Sequence, residues 1–99
     1  MKVRLSGPAR KKTDQLDRWW REHRSETRDL FAQEFADAQR QLALSGERGI
    51  IYGERNGAVV RRLLLPKTGT HVYFEIDPAK GVVMIFMLWG ARKGRGPNL

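Results

Sequence analysis

The last third of the chain has a two-residue hydrophobic period broken by short turns. Residues 71–76 read HVYFEI, in which Val72, Phe74 and Ile76 occupy every second position, and this alternation predicts a strand with one buried face. Residues 82–89 read VVMIFMLW without a polar residue, which predicts an internal strand covered on both faces. A further extended segment, AVVRRLLL, precedes them over residues 58–65, and the turn sequences PKTG and DPAKG separate the three. Connections this short join strands into an antiparallel meander.

Helical periodicity replaces this pattern in the first half of the chain. Pro8 suits the first turn of a helix, where its missing N–H needs no partner, and the pattern predicts a helix over residues 9–24. Its stripe, with spacings of three and four residues, comprises Leu16, Trp19, Trp20 and His23. Adjacent residues of a helix point about 100° apart, so at most one of the two tryptophans can lie centrally in the buried seam. We therefore expect Trp19 and Trp20 to serve core and boundary packing rather than to form a stacking platform for bases.

A second amphipathic segment follows after a short polar break. Ser25 and Thr27 are its candidate N-caps and Gly46 its candidate C-cap, so the pattern predicts a helix over residues 27–45. Its apolar stripe comprises Leu30, Phe31, Phe35, Ala38, Leu42 and Ala43. Two such helices joined by a short break form an antiparallel hairpin.

Residues 46–57, GERGIIYGERNG, contain four glycines and no clear period. They are predicted to form a loop, pinned to the domain by Ile50, Ile51 and Tyr52 and ended by an Asn56-Gly57 turn.

The order of these elements predicts an α+β fold with one domain over residues 1–99. Val3 and Leu5 indicate a short first strand over residues 2–6, which is too short to stand alone and is expected to join the meander in one sheet. The helical hairpin then packs on one face of that sheet, giving a two-layer β-α-α-β-β-β arrangement. Residues 90–99 are expected to form a basic, flexible tail.

The charge of the chain is strongly positive. Nineteen Lys and Arg stand against eleven Asp and Glu, a net charge of +8, and both ends of the chain are basic. Such a protein is expected to bind a polyanion, which favours nucleic acid or a nucleoprotein as target. The other interpretation is that the charge serves solubility or matches an acidic protein partner.

Several classes of protein are disfavoured by what the sequence lacks. There is no cysteine and there are two histidines, so neither a disulfide framework nor a metal site is expected, and no cofactor motif is present. No apolar run is long enough for a membrane span and no secretory signal is visible, so the expected location is the cytoplasm. No hydrolase or nucleotide-binding motif occurs.

One group of side chains could nevertheless carry acid–base chemistry. His71, Tyr73 and Glu75 alternate along one strand and therefore share a face, to which Arg61 or Arg62 and Arg92 could add cations. Such a set could cleave a phosphodiester, with His71 or Glu75 as base and arginines stabilising the developing charge. The simpler interpretation is that Glu75 pairs with Arg61 or Arg62 across the sheet.

The order of elements, together with RRLLLPKTGTHVYFEID and MLWGARKGRGPNL, resembles the RelE/ParE superfamily of toxins from bacterial type II toxin–antitoxin modules. The resemblance extends over nearly the whole chain and is to the ParE-like, plasmid-stabilisation branch. The segments DRWWREHR and DLFAQEF also resemble the two helices of that branch. It implies a cytoplasmic toxin that is neutralised by a cognate antitoxin.

Two targets occur within this superfamily. RelE-like members cleave messenger RNA in the ribosomal A site, whereas ParE-like members inhibit DNA gyrase without being hydrolases. Arg92 matches the RelE-like arginine after the last strand and Arg62 falls near the basic pair, but His71 replaces a strand arginine. The tyrosine of the C-terminal RelE helix has no counterpart, and Gly and Pro stand where that helix would be.

These matches favour a ParE-like toxin that inhibits growth by binding an essential target such as DNA gyrase. Its predicted contact surface comprises Arg61, Arg62, Arg92, Lys93 and Arg95. The first alternative is a RelE-like, ribosome-dependent endoribonuclease acting on messenger RNA, with His71, Tyr73, Glu75 and Arg92 as catalytic residues. The second is an inactive protein of the same fold that only binds partners. The oligomeric state stays open.

Overall fold

Five strands and two helices follow one another in the computed structural model, which describes residues 1–90 and 96–99. In chain order they are β1 (Lys2–Leu5), α1 (Gly7–His23), α2 (Leu30–Leu44), β2 (Ile50–Arg55), β3 (Ala58–Leu65), β4 (Thr70–Asp77) and β5 (Val82–Gly90). The α+β prediction and the predicted β-α-α-β-β-β arrangement are confirmed, with one additional strand, β2.

The strands form one mixed sheet in the order β1-β5-β4-β3-β2. β1 lies parallel to β5, and the other neighbouring strands are antiparallel. Both the expected position of β1 in the same sheet and the internal position of the apolar β5 are therefore confirmed. In the described part of the chain, neither helix is long and apolar enough to cross a membrane.

Both helices pack on one face of the sheet and enclose the main core. From α2, Phe31 and Leu42 are fully buried, and from β4 so are Val72 and Phe74, while Ile76 packs at the periphery. The period of two in residues 71–76 was thus a correct indicator of the buried face. Because alternate side chains of a strand lie on opposite faces, the residues between them project away from the helices.

Helix α1 begins two residues earlier than the sequence predicts. The Ser6 hydroxyl accepts a hydrogen bond from Ala9 N–H at 3.2 Å and caps the first turn, with Pro8 in that turn. Of the two tryptophans, Trp20 packs against the core, whereas Trp19 is 43% exposed and its ring stacks on His23 at 4.7 Å. The expectation that at most one tryptophan lies centrally in the buried seam is confirmed, and Trp19 lies outside the core.

Helix α2 begins at Leu30, three residues later than predicted. Ser25 and Thr27 are not its N-caps, because residues Ser25–Thr27 form a short 3-10 turn of their own. Gly46 is not in the left-handed conformation of a C-cap glycine; the cap is the extended Ser45, and Gly46 is buried against Ile76. A Cβ at position 46 would lie 2.6 Å from Ile76 Cδ1, so this glycine serves close packing.

The predicted loop over residues 46–57 was wrong, because Ile50–Arg55 pair with β3 as strand β2. The pairing register shifts between Ile51 and Gly53, which marks a β-bulge. One extra residue destroys the period of two that identifies a strand in sequence. The Asn56-Gly57 turn was predicted correctly, and the positive φ angles of 53° and 80° at these two residues suit a tight hairpin.

The Glu34 carboxylate anchors the β3–β4 turn to α2. It accepts hydrogen bonds from Lys67 N–H at 2.7 Å, Thr68 N–H at 3.0 Å and the Thr68 hydroxyl at 2.7 Å. We expect Glu34→Ala to lower the free energy of unfolding by about 1–3 kcal/mol, since bonds to an ionised acceptor are the stronger kind. Denaturant titration checks this, with the exposed Gln33→Ala as a control expected to change it by less than about 0.5 kcal/mol. Equal effects of the two substitutions would refute the anchoring role.

Candidate functional site

The face of the sheet opposite the helices, here called the open face, carries the candidate polar residues. Cross-strand pairing places His71 between Leu64 and Trp89 in one row, and Tyr73 between Arg62 and Met87 in the next. The described residues of the open face include Tyr52, Arg55, Val60, Arg62, His71, Tyr73, Glu75, Phe86, Met87 and Trp89.

A second, smaller apolar cluster covers the centre of the open face. Val60, Tyr73 and Phe86 are buried there, with Tyr52, Met87 and Trp89 packed around them. Phe86 reaches this face because the β4–β5 register shifts opposite Tyr73 and Phe74, which leaves Phe86 without a direct partner in β4. Strand β5 consequently buries apolar side chains on both faces, as its uniformly apolar sequence predicted.

Arg62 and Tyr73 form the polar centre of the open face. The Arg62 guanidinium carbon lies 5.0 Å from the centre of the Tyr52 ring, and the Tyr52 and Tyr73 rings meet edge to face at 4.9 Å. Within the described residues, neither Arg62 Nε nor the Tyr73 hydroxyl has a hydrogen-bond partner, although both atoms are buried. Such groups are rarely left unpaired, so the pair offers two donors to an external acceptor.

His71 lies beside this centre and is half-buried. Its ring contacts Tyr73 edge to face at 6.1 Å. Burial, and secondly the positive charge of Arg62, lower the pKa of His71 below its ordinary value of 6.5. The imidazole is therefore neutral at pH 7, the protonation state that a general base requires.

We expect the NMR signal of the His71 ring to titrate with a midpoint below 6.5 in the folded protein. At pH values between the lowered pKa of the folded protein and the ordinary value of 6.5, the unfolded chain binds a proton on His71 that the folded protein does not bind. The free energy of unfolding therefore falls as the pH drops below 6.5 toward the folded-state pKa. His71→Gln assigns the signal and removes this part of the pH dependence. A midpoint at or above that of the urea-unfolded chain would show that His71 is not shielded as described.

Glu75 shares the open face but is already paired. Arg55 Nε lies 3.1 Å from Glu75 Oε1, and the Arg55 guanidinium carbon lies 3.7 Å from the centre of the Phe86 ring. The ion pair expected from the sequence therefore exists, but with Arg55 of β2 rather than with Arg61 or Arg62. The Glu75 carboxylate is paired with Arg55, whose guanidinium packs on the Phe86 ring. Of the three candidates on β4, His71 is therefore the base that is not in an ion pair.

Arg61 and Arg62 project to opposite faces of the sheet. Arg61 is paired across the strands with Phe74 of the main core, and its Nη1 donates to the Gly49 carbonyl at 3.0 Å. Of this basic pair, only Arg62 belongs to the open face. The other cations predicted for the contact surface, Arg92, Lys93 and Arg95, lie outside the described residues. Arg92 was also a catalytic candidate, and that prediction lies outside the described residues as well.

Two residues of the open face were missed from the sequence, and both lie on β2. Tyr52 packs against Tyr73 and Arg55 binds Glu75, but the loop prediction for residues 46–57 gave neither a place in the sheet. The Asn56-Gly57 dipeptide was the available signal, because this turn commonly joins two paired strands.

The predicted flexible tail over residues 90–99 requires a partial correction. Gly90 belongs to β5, and Pro97 is buried, with its carbonyl accepting a hydrogen bond from the Tyr52 hydroxyl at 2.9 Å. Residues 91–95 lie outside the described part. Within the described residues, no group of three or more His, Asp or Glu side chains could hold a metal ion.

Comparison with known proteins finds a solved structure of similar fold. No protein-family model matches the chain, and no curated protein matches it. The crystal structure of the isolated E. coli RelE toxin, in its P21 form, superposes with a TM-score of 0.55 at 16% sequence identity, covering 91% of this chain and 83% of that chain. The chain therefore shares the fold of that structure.

Proposed function

We propose that the protein is the toxin of a type II toxin–antitoxin module and that it inhibits growth by binding an essential target, in the manner of the ParE-like branch. DNA gyrase is the proposed target. The toxin assignment is supported by the fold shared with the E. coli RelE toxin. The net charge of +8 supports a nucleoprotein target and an antitoxin able to neutralise basic surface.

The observation that favours binding over cleavage is the state of the acid–base candidates on the open face. Tyr73 is 0% exposed and the Glu75 carboxylate is bound by Arg55 at 3.1 Å. In this arrangement the Tyr73 hydroxyl is buried and the Glu75 carboxylate is paired with a cation, so neither is an exposed, unpaired group on the surface. What the face offers instead is an arginine among several aromatic side chains, residue types that are enriched at binding surfaces.

One observation supports the nuclease alternative. His71 is neutral at pH 7 and lies beside Arg62, so it could accept the proton of an RNA 2′-hydroxyl while the arginine stabilises charge on the phosphate. In that reading the protein is a ribosome-dependent endoribonuclease in the manner of RelE. Among the described residues, a single candidate base supports the nuclease alternative, and we therefore rank it second.

Two assays on the same purified protein separate these proposals. We expect excess protein to block supercoiling by purified DNA gyrase while messages in a translating extract stay intact. Supercoiling that proceeds normally would refute the gyrase proposal. Cuts in translating messenger RNA that disappear in His71→Ala would establish the nuclease alternative instead. If the folded protein has neither effect and does not slow growth, the inactive, partner-binding alternative stands.

The proposed partner and location follow from the toxin assignment. We propose a cognate antitoxin that neutralises the protein in the cytoplasm. The open face of the protein is the proposed surface for the target, with Arg62 as the central contact among the described residues.

A further inference from the structure

The last residues of the sequence fold back onto strand β2. The Tyr52 hydroxyl donates a hydrogen bond to the Pro97 carbonyl at 2.9 Å, and Pro97 is buried. Tyr52 lies on the edge strand at the far side of the sheet from β5, with β4 and β3 between them. Gly96–Pro97 therefore contact a strand that is not a neighbour of the one that precedes them in sequence.

The contact is closest at Gly96. A Cβ at this position would lie 2.0 Å from the Tyr52 hydroxyl oxygen and 2.6 Å from the ring carbon that bears it. Any other residue would force the tyrosine or the segment to move, so the absence of a side chain is what permits this approach. The backbone of residue 96 thus lies directly against the phenol of Tyr52.

Tyr52 is also the side chain that borders the two unpaired donors of the open face. Its ring lies 5.0 Å from the Arg62 guanidinium carbon and 4.9 Å from the Tyr73 ring. Arg62 Nε and the Tyr73 hydroxyl are buried, and no described residue accepts from either of them. An external acceptor can reach these atoms only after something at this place has moved.

We propose that Gly96–Pro97 form a removable cover that, by docking on Tyr52, closes a phosphate-binding site made by Arg62 and the Tyr73 hydroxyl. A guanidinium N–H and a phenol O–H both donate, and the cation selects an anionic acceptor, a combination that fits the oxygens of a phosphate group. Because the ligand binds only the open form, the cover lowers the apparent affinity by the fraction of molecules that are open. The inference concerns access to the site and holds whichever target the protein has.

The test uses inorganic phosphate as the probe and the NMR signal of the Arg62 Nε–H as the readout. The intact chain is compared with a variant lacking residues 96–99 and with Tyr52→Phe, which keeps the ring but removes the hydrogen bond to Pro97. Asn98→Ala, at an exposed position next to the cover, is the matched control.

We expect the deletion to tighten phosphate binding by about tenfold, which corresponds to an open fraction of roughly one in ten in the intact chain. Tyr52→Phe should give a smaller gain in the same direction, and Asn98→Ala none. Adding Arg62→Gln to the deletion should abolish the gain, and in this variant binding is followed by the NMR signals of the Tyr73 ring instead. If neither the deletion nor Tyr52→Phe tightens binding, the cover is refuted, and if the deletion variant does not fold, Tyr52→Phe decides alone. Neither readout involves gyrase or growth, so failure of the proposed function leaves this result unchanged.

Discussion

Phe74→Ala will lower the free energy of unfolding by about 3–5 kcal/mol, the usual cost of removing a large aromatic side chain from a core. Phe74 is 0% exposed in the core between the sheet and the helices. Its ring also fills the space beside Gly49, where a Cβ would lie 2.6 Å from the ring. Domains of this size are stable by about 5–15 kcal/mol in total, so this variant should lose a large share of its stability.

Trp19→Ala is the matched comparison, because the sequence alone placed both residues in apolar stripes. Trp19 is 43% exposed and rests on His23 and Arg24 at the surface, so we expect its removal to cost about 1 kcal/mol or less. Urea titration followed by circular dichroism measures both variants. A larger loss for Trp19→Ala than for Phe74→Ala would contradict the assignment of the two layers.

Arg62→Ala is expected to remove most of the growth inhibition that the proposed function predicts. Arg62 is the described cation at the centre of the open face, stacked on Tyr52 and with a buried donor that no described residue satisfies. Truncating an arginine at the centre of a binding surface commonly costs about 2–4 kcal/mol, which is roughly a 30- to 1000-fold loss of affinity. The measurement is the inducer concentration that halves the growth rate, with folding verified by circular dichroism.

Arg61→Ala is the control for that experiment, since it removes the same charge from the neighbouring residue. Arg61 lies on the other face of β3 and donates to the Gly49 carbonyl at 3.0 Å. Both arginines belong to the contact surface predicted from the sequence, but they lie on opposite faces of the sheet. We expect Arg61→Ala to stay inhibitory; loss of inhibition in Arg61→Ala with retention in Arg62→Ala would move the target surface to the other face.

The elements recognised from the sequence are those whose hydrophobic period is uninterrupted. Residues 71–76 alternate strictly and residues 82–89 are uniformly apolar, and both strands lie where they were expected. Strand β2 was not predicted, because a bulge between Ile51 and Gly53 adds a residue within a six-residue strand and interrupts its period of two. A local irregularity of this kind is set by pairing with β3, and the pairing is not visible in the six residues themselves.

The face that the three polar residues of β4 share was predicted correctly, whereas their contacts with β2 were not. The shared face of His71, Tyr73 and Glu75 follows from alternation alone. Two contacts of these residues are made by β2: the Arg55–Glu75 ion pair and the Tyr52–Tyr73 ring contact. A prediction that makes residues 46–57 a loop does not contain either contact. The burial of Tyr73 depends further on Phe86, which reaches the open face through the irregular β4–β5 register.

The central claim, that this fold serves growth inhibition, is tested most directly by expressing the chain alone from a tightly controlled promoter in bacteria. We predict that induction of the wild-type protein arrests growth, and that Arg62→Ala, produced at the same level and equally folded, does not. Normal growth of cells that contain the soluble, folded wild-type protein would contradict the account.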